Sequence, residues 1–253
     1  MELDIINAAI ACLGSDQYLA SYPEKSKVGQ AAQRIYPMAR LSLLAQHEWE
    51  SLLTIGRVWP VVPFPVEYPE YPVVFTCPSS LRLVALIDEE GMKDFTFKQE
   101  GRKIYAMSDE SYQYLSCSTT SASATITITE SFSGDLAGAA VAGTGIPAGA
   151  YVLSHVGDVL TLSANATATG TPTLHFTKMK AEYVADSVDE TQWEPALREA
   201  MAYKVATLLA ATVDRADKVP TMNALYERAL SKAREQSGAA RNKNETQSTW
   251  WVE

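Results

Sequence analysis

The sequence predicts an α+β protein: a discontinuous helical domain of about four helices with a small β-sheet, interrupted by an inserted all-β sandwich or barrel module. Two observations predict this class. Residues 104–177 contain no Lys or Arg, although the 21 such residues in the 253-residue chain would place about six there. On both sides of that stretch, apolar residues recur with the spacing of amphipathic helices. The predicted boundaries are 1–110 and 178–237 for the helical domain, 111–177 for the inserted module and 238–253 for an extended C-terminal tail.

Composition narrows the class of protein. With 47% hydrophobic and 20% charged residues the chain is ordinary globular material, and its net charge of -9 disfavours a protein that wraps nucleic acid, which needs clustered cations. Cys12, Cys77 and Cys117 are odd in number and widely spaced, which predicts reduced, half-buried thiols rather than a disulfide framework or a metal site. The N-terminal run is acidic where a signal peptide is basic, and no apolar run approaches ~18 residues, so we expect cytoplasmic folding and no membrane span.

Helical spacing predicts two N-terminal helices. Apolar residues at steps of three and four over 3–13, followed by Gly14, predict a short first helix. After a loop, a second helix is expected from about 30 to 49. Pro37 lies within this second helix and removes one backbone hydrogen bond, so we expect a kink there or a helix that begins near Tyr36.

The pattern then changes to that of β-structure. Prolines crowd residues 59–78, which predicts an extended arm or an irregular β lining. Residues 81–87 have the composition of a strand, and 95–99 are expected to be its hairpin partner across an acidic turn. Residues 103–107 predict a third strand.

Strict alternation predicts the strands of the inserted module. Apolar and polar residues alternate at 125–129, 159–163 and 173–177. Between the first two of these runs, the sequence AGTGIPAGAYV supplies turn glycines and a proline. A β unit with few charges and its own turns can be inserted without disturbing the surrounding helices, so we interpret it as an outward-facing docking or decoration module.

One strand and two helices are expected after the module. Residues 179–183 alternate as a strand does, and apolar stripes then run through 193–212 and 222–233. The short link at 214–220 predicts that these two helices are antiparallel neighbours. Residues 238–253 show no periodicity.

Three separated stretches combine motifs in a fixed order. The first, AQRIYPMARLSLLAQHEWESLL at 32–53, contains a Tyr-Pro pair, Arg40, paired leucines and a closing His-x-Trp. The second, FTCPSSLRLVALI at 75–87, contains Pro78 followed by a strand with Leu-Arg at 81–82, and it is followed by EGRKIYAM. The third, 183–233, is a strand ending in Asp186 that leads to a Trp-x-Pro start and two Ala-rich helices.

In their order and spacing, these stretches resemble the head-to-tail adaptor proteins of short-tailed bacteriophages, the group often called tail tubular protein A. The resemblance covers residues 1 to about 110 and 179 to about 236. The chain departs from the family at Glu48, where the family usually has proline, and in the length of residues 111–177.

The resemblance implies a structural virion protein and not an enzyme. Such a protein forms a homo-oligomeric ring of twelve subunits in the neck or tail of the virion, assembled in the host cytoplasm. The ring joins the portal protein to the distal tail tube or nozzle and forms part of the channel through which the genomic DNA passes. No cofactor is expected. The resemblance assigns no role to residues 111–177; a tail fibre or decoration protein is expected as their partner from their interpretation as a docking module.

The C-terminal tail contains three candidate partner-binding residues, Trp250, Trp251 and Arg241. Adjacent exposed tryptophans are unfavourable in a polar tail unless they enter a pocket. We therefore expect residues 238–253 to order on a neighbouring subunit or on the portal. The alternative is a tag or a chance terminus.

The proline-rich arm contains four more candidate partner-binding residues, Trp59, Phe64, Tyr68 and Tyr71. Aromatic residues between prolines make a rigid contact surface that loses little entropy on binding, which suits an arm lying across an adjacent protomer. The alternative is that the arm only covers its own core.

No catalytic, cofactor-binding or metal-binding residue is assigned. His47 closes a helix beside a tryptophan, which favours packing, and His155 and His175 lack the spacing of zinc ligands. The GTG sequence at 143–145 lacks the lysine and the helix of a phosphate loop, so turn glycines are expected. The acidic cluster at 88–90 favours a solvated turn over a cation site.

Two other functions stay open. One is a tail-associated peptidoglycan hydrolase, for which Glu48 or Glu194 is the carboxylate to substitute. The other is a glycan-binding or receptor-binding tail component built on residues 111–177. That segment offers tyrosines and phenylalanines for stacking but no tryptophan, the usual platform for a sugar ring.

Overall fold

The computed structural model of the chain describes residues 2–62, 68, 70–77, 79–89, 91, 95–107 and 112–248, with the backbone alone for 242–248. The α-helices are α1 (Glu2–Cys12), α2 (Lys27–Leu44), α3 (Pro195–Leu209) and α4 (Val219–Ser248). The first strands are β1 (Leu53–Arg57), β2 (Trp59–Pro60), β3 (Val73–Thr76), β4 (Arg82–Ile87), β5 (Phe97–Glu100) and β6 (Lys103–Ala106). The later strands are β7 (Tyr112–Ser118), β8 (Thr125–Ile128), β9 (Ala140–Ala142), β10 (Val152–Val156), β11 (Val159–Leu162), β12 (Thr173–Thr177) and β13 (Lys180–Val184).

The predicted fold class is wrong in its balance of helix and sheet. The described residues form 4 helices and 13 strands in three antiparallel sheets, so the protein is β-rich rather than a four-helix domain with a small sheet. The excess of strand lies partly before residue 111, where short strands pair with partners distant in sequence, as β3 does with β6. Local periodicity over two to four residues is too short to reveal such strands.

The chain divides into two compact units. The helical unit contains Met1–Leu53 and Val184–Glu253, and the β unit contains Thr54–Tyr183. The segment that interrupts the helical unit is therefore longer than the predicted 111–177, because it also includes most of β1, all of β2 to β6 and most of β13. Strands β1 and β13, which are neighbours in one sheet, carry the chain into and out of the β unit.

The first helix agrees with its prediction. Gly14 has a φ of +64°, a conformation that glycine adopts without strain, and the helix ends two residues before it. Ile5, Ile6 and Ile10 form its buried face. The apolar spacing and the glycine stop are thus both confirmed.

The second helix is longer at its start and shorter at its end than the predicted 30–49. The Ser26 hydroxyl accepts a hydrogen bond from the Gly29 N–H at 3.1 Å, which fixes the start of α2 at Lys27. The helix continues through Pro37. The carbonyl that loses its partner there belongs to Gln33, and both residues lie on the exposed side, where water can satisfy it.

The two C-terminal helices are antiparallel neighbours, as predicted. Lys232 of α4 pairs with Glu199 of α3 at 3.6 Å, and Lys204 of α3 lies over the ring of Tyr226 of α4. α4 runs to Ser248, so the expectation of an extended tail is wrong for 238–248; residues 249–253 lie outside the described residues. None of the described helices is both long and apolar enough to cross a membrane.

The β unit contains the three sheets. Their strand orders are β1-β13-β4, β2-β3-β6-β5 and β10-β11-β8-β7-β12-β9. The predicted hairpin between 81–87 and 95–99 is wrong, because β4 lies beside β13, while β5 pairs with β6 with Phe97 opposite Ala106. The chain therefore changes sheets between β4 and β5 instead of closing a hairpin.

The six-stranded sheet curls back on itself into a barrel. Ala140 of β9 bridges to Tyr151, the residue before β10, and the Val152 N–H donates to the Ala139 carbonyl at 2.8 Å. This closure pairs an edge of the sheet that would otherwise be exposed. The strands predicted at 125–129, 159–163 and 173–177 are confirmed as β8, β11 and β12, and their inward-facing apolar residues form its core.

Candidate functional site

A buried polar cluster joins the first and third of the stretches that carry the resemblance. Tyr36 donates its hydroxyl to Glu190 Oε1 at 3.0 Å, and Arg40 Nη2 lies 3.0 Å from Asp186 Oδ1. Tyr36 is fully buried, and Glu190 and Arg40 are nearly so. Tyr36 and Arg40 are four residues apart on α2 and share one face, which presents both to the segment that follows β13. The cluster thus fixes two parts of the chain that are 146 or more residues apart.

The charge of this cluster depends on Arg40. Burial and then the charge of Glu190 raise the pKa of both Tyr36 and Glu2, and in each case the charge of Arg40 acts in the opposite direction. The Nε atom of Arg40 is buried and has no hydrogen-bond partner among the described residues. One guanidinium therefore offsets part of the negative charge of the carboxylates of Glu2, Asp186 and Glu190.

Sequence reasoning missed Glu190. It lies in a single 3₁₀ turn, Glu190–Gln192, in a segment without periodicity, and its partner on α2 is 154 residues away. Its residue type also predicted an exposed position, since a glutamate is almost never fully buried unless it has a partner. No local signal identified Glu190.

The end of the first stretch is anchored to α4. The Glu50 N–H donates to the Ser237 hydroxyl at 2.7 Å, and that hydroxyl donates to the Glu48 carbonyl at 3.4 Å. Arg241, expected to bind a partner, instead forms a half-buried ion pair with Glu48 in the same unit. Glu48, one of the two carboxylates considered for a hydrolase, is thus engaged in a structural contact.

Replacing Glu194 by glutamine should stabilise the helical unit at neutral pH. Burial raises the pKa of Glu194; a hydrogen bond from the Ser51 N–H opposes this effect, and the charge of Glu50 adds to it. A carboxyl group whose folded pKa is raised stabilises the fold below its unfolded pKa and loses that contribution as the pH rises through its folded pKa. Urea unfolding at neutral pH and at about pH 4 measures the difference, which should shrink on acidification. Glu235→Gln on the exposed side of α4 is the control, and a Glu194→Gln variant that is less stable at neutral pH contradicts the prediction.

The proline-rich arm packs against its own β unit where the structure describes it. The ring of Tyr68 lies edge-on to Tyr105 at 4.9 Å and to Tyr71 at 6.2 Å, and the Lys98 ammonium lies 3.6 Å from the Tyr68 ring centre. The Tyr68 hydroxyl donates to Glu100. Tyr68 and Tyr71 thus make the contacts expected of an arm that covers its own core, and Phe64 lies outside the described residues.

Trp59 contacts the barrel. Its indole N–H donates to the Ala150 carbonyl at 3.2 Å, and the neighbouring Arg57 lies over the Tyr151 ring at 4.2 Å. Trp59, Pro60 and Val62 form one side of a groove of about 770 Å³, and the turn 143–149 forms another. The barrel segment itself lacks tryptophan, but β2 supplies one, so the argument against glycan binding that rested on a missing tryptophan does not hold for the whole β unit.

The other polar candidates have contacts within the β unit. Nδ1 of His155 accepts from the Leu136 N–H at 3.2 Å, and Nδ1 of His175 lies 2.6 Å from the Tyr112 hydroxyl. Gly145 has a φ of +80°, which confirms a turn glycine. Glu89 of the acidic turn pairs with Lys178 at 2.6 Å. Within the described residues, no three His, Cys, Asp or Glu side chains are placed to hold a metal ion.

The helical unit has a groove between α1 and α3, which we call the α1–α3 groove. It has a volume of about 310 Å³ and is lined by Asp4, Ile5, Ala8, Cys12, Arg198, Glu199, Ala202 and Tyr203. Cys12 is an exposed free thiol, whereas Cys77 and Cys117 are buried free thiols, so the prediction of three half-buried thiols is wrong in degree. Trp250 and Trp251 lie outside the described residues.

No protein-family model matches this chain, and no curated protein matches it.

Proposed function

We propose that this chain is a head-to-tail adaptor of a short-tailed bacteriophage. It is a structural subunit of the virion that assembles as a twelvefold ring between the portal protein and the distal tail tube or nozzle. The ring encloses part of the channel for the genomic DNA. The β unit extends the adaptor by a barrel that offers a docking surface to a further tail component.

The observation that carries the proposal is the polar cluster of the helical unit. The Tyr-Pro helix and the segment after β13 belong to two separate stretches of the resemblance, and the contacts Tyr36–Glu190 and Arg40–Asp186 join them. Buried polar pairs of this kind need matching partners, since a lone buried charge is costly. Two of the three stretches that carry the resemblance therefore meet in one buried cluster.

Charge and helix length add support. The net charge of -9 suits a channel wall that does not retain DNA, because like charges repel the phosphate backbone. α4 is 30 residues long, about 45 Å, and its last turns follow the final described contact of the helix, at Arg241. A helix of that length can reach a neighbouring molecule in a ring.

The purified chain should join its cognate portal protein in one large complex. Size-exclusion chromatography with light scattering, run on the chain alone and then with the portal, measures the masses. We expect a complex whose mass corresponds to the portal with a ring of adaptor subunits. A portal from an unrelated phage is the control. A stable monomer that elutes unchanged in the presence of the cognate portal contradicts the proposal.

A further inference from the structure

The α1–α3 groove is an apolar surface of the helical unit with room for a large side chain. Ile5 and Ala202 form its buried floor, Ala8 and Cys12 are exposed, and Tyr203 is half-buried. Its volume of about 310 Å³ is at the lower end of the range for small-ligand pockets, about 300–1,000 Å³. We propose that the Trp250–Trp251 pair of one copy docks in the α1–α3 groove of a neighbouring copy. This inference rests on the proposed ring and names the contact that links its subunits.

The geometry of α4 excludes the tail of the same copy. Lys232 of α4 lies beside Glu199 in the groove, with 3.6 Å between Nζ and Oε2. α4 continues for 16 residues from there to Ser248, about 24 Å at 1.5 Å per residue. Trp251 is three residues further on, and a fully extended chain spans at most about 11 Å over three residues. If the tail turned straight back it would still fall about 13 Å short of the level of Glu199, a gap longer than a tryptophan side chain.

The chemistry of the groove fits an indole. Tryptophan has a large apolar ring with one N–H that only donates, so a tryptophan site needs an apolar floor and an acceptor at its edge. Ile5, Ala8 and Ala202 supply the apolar surface, and the carboxylates of Asp4 and Glu199 supply acceptors. Burial of tryptophan at an interface is among the contacts that cost most to remove.

The arrangement also generates a ring. Each copy carries one groove and one tail, and the tail of a copy reaches only a different copy. Contacts of this head-to-tail kind close into rings when the rotation between copies is suitable. Every groove is then filled by the preceding subunit, without a separate linking protein.

Photo-cross-linking of the full chain tests this proposal. Trp251 is replaced by p-benzoylphenylalanine, and ¹⁵N-labelled and unlabelled copies are mixed, alone and with the portal, before irradiation and mass spectrometry. We expect cross-links between copies that map to Ile5, Ala8, Cys12 or Tyr203. The same photoreactive residue placed at Tyr18, which is 74% exposed, is the control for non-specific cross-linking.

A matched pair of groove variants separates docking from proximity. Ala8→Glu places a charge in the groove, and Ala11→Glu places the same charge on the exposed surface of the same helix outside it. We expect the first variant to lower the yield of inter-copy cross-links at least tenfold and the second to leave it unchanged.

The outcomes distinguish this inference from the proposed function. Cross-links that stay within one copy, or that map to the portal or to surfaces outside the groove, overturn the inference, and so does equal yield from the two variants. If the chain still joins the portal in those cases, the adaptor function stands without this contact. Groove cross-links between copies that form without any association with the portal support the inference and count against the proposed function.

Discussion

Replacing Trp49 by alanine should lower the free energy of unfolding of the helical unit by about 3–5 kcal/mol. Trp49 is fully buried, and its ring lies edge-on to His47 at 4.9 Å. Removing so large a side chain leaves a cavity that the surrounding helices fill only in part. The loss is a large share of the ~5–15 kcal/mol that stabilises a typical domain, so we expect most of the variant to be unfolded near 50 °C.

Replacing Trp49 by phenylalanine separates the stability that its hydrogen bond contributes from the stability that its buried volume contributes. The Trp49 N–H donates at 3.1 Å to the carbonyl of Leu44, the last residue of α2, whose carbonyl has no partner within the helix. Trp193 is also buried, but its N–H has no partner among the described residues. Trp49→Phe should therefore cost more than Trp193→Phe, by about 1–3 kcal/mol. Urea unfolding followed by circular dichroism measures both, and equal losses contradict the argument.

Replacing Arg40 by methionine should cost about 3 kcal/mol. The Arg40 side chain is 10% exposed and that of Asp186 is 40% exposed, so water compensates Asp186 in part, and the loss lies at the low end for a broken buried pair. The variant leaves the carboxylates of Glu2 and Glu190 without their cation. Lys232→Met, which breaks the exposed pair with Glu199 in the same unit, is the control and should cost less than about 1 kcal/mol.

A second substitution and a change of pH check the cause of the Arg40 effect. Adding Glu190→Gln to Arg40→Met should recover part of the lost stability, because it removes one uncompensated charge while keeping an acceptor for the Tyr36 hydroxyl. Without Arg40, the pKa of Glu2 rises further, since the charge of Arg40 holds it down. The cost of Arg40→Met should therefore shrink as the carboxylates protonate on acidification. A cost that stays constant with pH and is not relieved by Glu190→Gln means that the side chain contributes by packing alone.

The sequence predicted correctly those helices and strands whose buried face repeats at regular spacing along the chain. The apolar spacing over 3–13 with Gly14 gave α1, and strict alternation gave β8, β11 and β12. In each case the buried residues recur at the spacing of the element itself, every three or four residues in the helix and every second residue in the strands.

Pairing and helix ends were harder to predict because their causes lie elsewhere in the chain. The partner of β4 is β13, about a hundred residues later, so a nearby run such as 95–99 was the wrong choice. Residues 238–248 lack an apolar stripe, yet α4 continues through them, since a helix already formed by packing extends at one hydrogen bond per residue.

The candidate site was predicted in part. Arg40 and Asp186 were noted as parts of the resemblance, but not as partners, and the position of Trp59 against the barrel depends on how the sheets fold together. Arg241 was expected on a partner, and its contact with Glu48 depends on the helix that the tail forms.

Because the chain enters and leaves the β unit through the neighbouring strands β1 and β13, the β unit can be replaced by another insertion. The Ala185 N–H donates to the Leu52 carbonyl at 3.3 Å, so the two ends of the helical unit meet at the point where the chain departs and returns. The entropy of closing a flexible loop grows only by about 0.6 kcal/mol for each doubling of its length. A short turn or a much larger domain between β1 and β13 would therefore leave the helices nearly as stable, and evolution can exchange the β unit without rebuilding the helical unit.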